Sequence, residues 1–167
     1  MEELLPRFLR AITLRSDLYE EVERDPNTLT QALVVLVWSG LARGVGRFGP
    51  LDFGDIFRGL GISIGSYVIW AALAYGIGTT ILKGRNTQTS FGELLRVLGF
   101  ASAPGVFCLF GIFPFVGVLF YLGGTLWMIL AMVVALRQAL DYENTYQAAL
   151  VIMAGFIPYL MLMKLIF

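Results

Sequence analysis

Apolar residues dominate the second half of the chain in long blocks, and the few polar interruptions divide it into segments. Residues 97 to 136 contain no Asp, Glu, Lys or Arg. A helix of that length would extend about 60 Å at about 1.5 Å per residue, twice the roughly 30 Å of a bilayer core. The block therefore crosses twice. The dividing point is Phe113-Pro114, because proline lacks the amide donor and disfavours helix in the residue before it. Gly111 and Pro114 bracket a tight hairpin between spans of 92–111 and 115–138. Downstream, 146–167 makes another span, with Asn144 and Gln147 placed for a capping box. Upstream lie 59–82, uncharged over its whole length, and 29–46, whose apolar part is short and is followed by Arg43. With Arg43 snorkelling at its end, that segment still spans. Ser90 and Glu93 form a second capping-box pattern at the start of 92–111.

Pro104 falls in mid-span, in the stretch FASAPGVFCLFGIFPF, flanked by Ser102 and Gly105. Membrane helices accommodate such a proline where hydroxyl side chains or neighbouring helices satisfy the freed carbonyls. The sequence predicts a kinked third span. The fold class is all-α: a polytopic bundle of five spans, residues 29–167, preceded by a cytosolic or interfacial segment, 1–28.

Within that segment Leu4, Leu5, Phe8, Leu9 and Ile12 recur at helical spacing, with Arg7 and Arg10 off the stripe. The pattern predicts an amphipathic helix lying on the membrane surface, and Leu18, Tyr19 and Val22 continue it. The acidic cluster that follows, Glu20, Glu21, Glu23 and Asp25, disfavours an anionic leaflet. It offers either a solvated face or a docking surface for a protein partner. The polar, acidic start does not read as a cleavable signal peptide.

Composition adds exclusions. Charged residues make up 14% of the chain and hydrophobic ones 57%, against about 25% charged in soluble domains. Twelve basic and twelve acidic residues give zero net charge, which points to no nucleic-acid partner. With no histidine and a single cysteine, Cys108, an internal disulfide, a Cys/His zinc site and a Cys–His nucleophile are all ruled out. No metal site, cofactor or catalytic residue is expected. Ser63, Ser66 and Ser102 have no base partner and read as interhelical hydrogen-bond donors. Lys and Arg divide eight to four in favour of a cytoplasmic N-terminus and an outside C-terminus, by the positive-inside rule.

Nineteen glycines carry the packing signal. Gly40-x-x-x-Gly44 and Gly61-x-x-x-Gly65 let helices approach closely, either within one bundle or, as the lesser reading, across a homo-oligomer face. In the loop 47–59, Asp52 and Asp55 read as pairing with Arg47 and Arg58 rather than binding a cation.

These residues resemble a family. Asp17-Leu18-Tyr19 precedes five closely spaced spans. LLRVLGFASAPGVF (94–107) is similar to the third-span motif of the Yip-one domain family, and WMILAMVVALRQALDYENTYQAALVIM (127–153) looks like the end of that domain. The resemblance implies five helices, a cytosolic N-terminus and no known catalysis. Eukaryotic members bind Rab-type GTPases and one another. Here Glu20-Glu21 stands where the eukaryotic motif has Gly-Pro, and no long tail precedes it, which looks like a compact prokaryotic member of a cytoplasmic membrane. The expected role is a non-enzymatic scaffold or adaptor in contact with the bilayer and with other membrane or cytosolic proteins, through Asp17, Leu18, Tyr19, Glu20 and Glu21. The alternative is small-solute or lipid transport, gated at Pro104 and Gly105.

Overall fold

A computed structural model describes residues 3–48 and 53–166, all of them in helices or short connections. Two short helices, α1 (Leu4–Ile12) and α2 (Ser16–Arg24), lead through a 3-10 turn, Pro26–Thr28, into α3 (Leu29–Phe48). There follow α4 (Phe53–Gly76), extended by a π-helical turn over Ile77–Ile81, and α5 (Phe91–Ala101), extended by a 3-10 segment over Ala103–Ile112. The last two helices are α6 (Gly117–Ala139) and α7 (Thr145–Ile166). Five stretches are long and apolar enough to cross a membrane: Pro26–Arg47, Gly59–Ile81, Phe91–Ile112, Gly117–Ala139 and Thr145–Leu165. They match the expected spans to within three residues at either end.

The third span is the hub. It is 56% buried inside the protein, against 33% or less for each of the others. The outer helices show lipid-type faces instead, such as Leu119, Leu122, Leu126 and Leu130 along α6. A continuous exposed apolar stripe of that kind belongs in hydrocarbon. Toward the hub, α6 turns small residues, with Gly117, Gly124, Ala131 and Ala135 all buried.

Ser90 closes its capping box as the sequence predicts: Glu93 N–H donates to Ser90 Oγ (3.3 Å) and Ser90 N–H to the Glu93 carboxylate (2.6 Å). At Asn144 only a backbone bond forms, from Gln147 N–H to Asn144 O (3.1 Å). The kinked α-helix expected at Pro104 takes a different form. The α-helix stops at Ala101, and Pro104 stands in the first turn of a ten-residue 3-10 segment, where its missing N–H costs nothing.

Such runs seldom exceed three or four residues, and the packing explains this one. A 3-10 helix has 3.0 residues per turn, so Gly105, Cys108 and Gly111 fall on one side. That side lies along α3. A Cβ on Gly105 would sit 2.0 Å from Ser39 Oγ, one on Gly46 1.7 Å from Cys108 O, and one on Gly111 2.6 Å from Gly46 O. Six residues of 3-10 helix rise about 12 Å, close to the roughly 10.5 Å of the seven α-helical residues from Ser39 to Gly46. Two different helical repeats thus stay in step. Pro114 sits in the turn that follows, where Val116 N–H donates to Pro114 O (2.8 Å) and Phe115 takes a left-handed φ of 66°.

The glycine pairs expected to mark contacts are only partly where helices meet. A Cβ on Gly40 would meet Ser63 Oγ at 3.1 Å, whereas one on Gly61 would meet nothing within 4 Å; Gly65, one turn on, is half-buried in α4. The closest approaches are at Gly46, Gly78, Gly105, Gly111 and Gly117. The pairing expected of Asp52 and Asp55 with Arg47 and Arg58 lies outside the described residues and side chains.

Candidate functional site

Two places concentrate polar chemistry: a cap made by α1 and α2 at one end of the hub, and a cavity among the spans.

The cap is docked onto the bundle through one face of each helix. Leu4, Phe8 and Ala11 of α1 are buried against protein, while Leu5 and Leu9 point outward, 63% and 54% exposed. In α2, Leu18, Tyr19 and Val22 are wholly buried. Burying side chains that otherwise face water gains about 1.5–3 kcal/mol each, so this short helix is firmly held. Phe8 packs edge-on against Trp38, and Trp127 Nε1 donates to Ile12 O at 2.7 Å.

Arg96 of α5 makes the tightest link. Its Nε donates to Val22 O at 3.0 Å and its guanidinium also bonds Glu23 O. These carbonyls lie at the end of α2, where backbone acceptors have no intrahelical donor; a cation there also complements the helix dipole. Val22 O accepts a second bond from Thr28 Oγ1 (3.0 Å).

The charged residues of the cap pair with one another. Arg7 Nε contacts Glu21 at 2.7 Å, and Arg10 reaches both Glu21 (2.5 Å) and Asp17 (2.8 Å). Arg15 holds Asp17 at 3.0 Å, and Glu20 accepts from Gln138 Nε2 at 2.6 Å. Arg15, then Arg10, hold the Asp17 carboxyl below its ordinary range. Burial pushes Glu21 up, but the guanidinium groups of Arg10 and Arg7 outweigh it and leave it lowered. Glu23 behaves oppositely. Burial first, then the charges of Asp141 and Glu93, push it up to about 7, against the weaker pull of Arg24 and Arg96.

The residues expected to meet a partner therefore separate. Leu18 and Tyr19 face inward, and Asp17, Glu20 and Glu21 remain at or near the surface. With Arg24, Asp17 and Glu20 form an exposed stripe at positions i, i+3 and i+7 of α2. Arg96 escapes a sequence reading because it sits near the start of a span, where a snorkelling arginine is unremarkable.

The cavity holds about 280 Å³ among α3, α4, α6 and α7, beside the hub. Leu36, Ser39, Gly40 and Arg43 line it from α3 at helical spacing, facing Ser63, Ser66, Tyr67 and Trp70 of α4. Arg43, expected to snorkel at the end of its span, is half-buried and lines the cavity. Its Nε is buried without a hydrogen-bond partner, and its polar contact is a long one, 4.0 Å from Met128 Sδ. Trp70 Nε1 is likewise buried and unpartnered. No group of three or more His, Cys, Asp or Glu able to hold a metal occurs among the described residues.

No curated protein and no solved structure matches the chain. Residues 9–166 match the Yip1 domain, a span that takes in the end of α1, all of α2, the hub and all five candidate spans. The chain is an integral membrane protein belonging to the Yip1 domain family.

Proposed function

We propose that the chain works without catalysis, as a scaffold of a prokaryotic cytoplasmic membrane, N-terminus inside and C-terminus outside, receiving another membrane or cytosolic protein on the outer face of α2. The observation that carries this reading is the two-sided character of α2. Leu18, Tyr19 and Val22 fix one face against the hub, and Asp17, Glu20 and Arg24 stand on the other. A face held rigid in this way costs a partner little ordering entropy. The resemblance to eukaryotic members that recruit GTPases supports protein recognition as the task, although Glu20-Glu21 departs from their motif. Mild-detergent purification followed by mass analysis tests it. A stoichiometric protein should copurify with the wild type and be lost from a D17K/E20K variant. Copurification of lipid alone, or a partner that persists in the variant, would sink the reading.

The cavity favours a second reading, transport of a small solute or lipid past the Pro104–Gly105 segment. Ser102, next to that segment, lines it. Flux across liposomes containing only the purified protein, altered by Pro104→Ala, would replace the scaffold reading; tight liposomes would eliminate transport.

A further inference from the structure

We propose that the cavity between α3, α4, α6 and α7 is a binding site for the anionic head of a membrane lipid, with Arg43 as its counter-charge. The site would exist under either reading of function. Among the described residues Arg43 is the only charged one lining the cavity, and no carboxylate pairs with it. An arginine within a span is costly unless paired or solvated. Its charge therefore calls for a negative partner from outside the chain.

The surrounding groups repeat the sign. The buried unpartnered polar atoms of the lining are both donors, Arg43 Nε and Trp70 Nε1, and the hydroxyls of Ser63 and Tyr159 are able to donate as well. Five other hydroxyls give their protons to backbone carbonyls, Ser39 to Ser102 O (2.7 Å), Ser66 to Ile62 O (2.6 Å), Ser102 to Gly99 O (2.7 Å), Thr125 to Tyr121 O (2.8 Å) and Tyr67 to Leu95 O. A guanidinium with adjacent neutral donors matches an oxyanion head, phosphate or carboxylate.

The walls argue for a lipid over a free anion. Most of the lining is apolar, and Ile129 and Phe156 both line the cavity and face outward, 39% and 54% exposed. The cavity thus opens sideways toward hydrocarbon between α6 and α7. Its volume suits a head and the start of one chain, the rest lying in the bilayer.

The test adds ligands to the delipidated full chain and reads bound adducts by native mass spectrometry. The ligands are phosphatidylglycerol, phosphatidylcholine with the same chains, oleate and inorganic phosphate. One phosphatidylglycerol or oleate should be retained where phosphatidylcholine is not. Retention should fall at least tenfold in R43Q and in the cavity-filling I152F, and return in part in R43K. Preference for oleate over phosphatidylglycerol would identify the head as a carboxylate; the reverse would identify a phosphate. Equal retention of phosphatidylglycerol and phosphatidylcholine by the wild type would overturn the proposal without recourse to any variant. So would inorganic phosphate binding as tightly as the lipids, or R43Q and I152F, both eluting as the wild type does, retaining lipid undiminished.

Discussion

Arg96 Nε lies 3.0 Å from the carbonyl oxygen of Val22, seventy-four positions away in the chain, and donates to it in a buried setting. This contact ties the most enclosed span to the last turn of the cap. Hydrogen bonds to a charged group contribute about 1.5–3 kcal/mol each, and Arg96 makes two. Arg96→Gln should weaken cap docking by about 3 kcal/mol and expose residues 13–28 to limited proteolysis while the bundle stays intact. An unchanged cleavage pattern would show that apolar burial alone holds the cap.

Glu23 makes docking pH-dependent. Its folded-state pKa is raised from 4.5 to about 7, so between those values the folded protein binds more protons than the unfolded one. Stability must then fall as pH rises through that window, and it is regained on acidification. Thermal unfolding in detergent at pH 5, 6 and 7 should show a declining midpoint, and Glu23→Gln should flatten the decline.

The glycine contacts give a paired prediction. Gly46→Ala places a methyl 1.7 Å from the backbone oxygen of Cys108, which cannot rotate away, and should cost at least about 2 kcal/mol by forcing the hub apart. Gly61→Ala meets open space and should be neutral, or stabilising by up to about 1 kcal/mol through helix propensity. Unfolding midpoints of the two variants, measured side by side, check both.

Tyr19 keeps a buried hydroxyl with no hydrogen-bond partner. Removing such a group relieves a desolvation penalty, so Tyr19→Phe should leave stability unchanged or raise it by about 1 kcal/mol. A clear loss of stability would reveal a partner for the hydroxyl. Loss of binding to a copurifying protein, with stability intact, would instead show that α2 opens to expose this face.

The spans were legible in the sequence because solvent dictates them. A block such as 97–136, without charge, has one place to reside, and Phe113-Pro114 has one way to divide it. The 3-10 segment was not legible. Pro104 marks a disturbance, but its form depends on Ser39 and Gly46 of α3, two spans earlier in the chain. The spacing of Gly105, Cys108 and Gly111 by threes was the available signal. Arg43 and Arg96 were hidden for a shared reason: an arginine near a span end has both an outward and an inward solution. Which one is taken depends on neighbours that local pattern does not reveal. In the cap, helical spacing correctly grouped Leu18, Tyr19 and Val22, but could not say that protein rather than lipid covers them.

Docking of the cap on the hub is most directly tested by cross-linking in native membranes. In a Cys108→Ala background, cysteines replace Glu20 and Gln138, whose side chains touch at 2.6 Å, and a short bis-maleimide is added. The pair should link in high yield, well above a control with cysteines at Leu5 and Gln138, and Arg96→Gln should sharply reduce the yield. A yield no better than the control, or indifferent to Arg96, would contradict a docked cap.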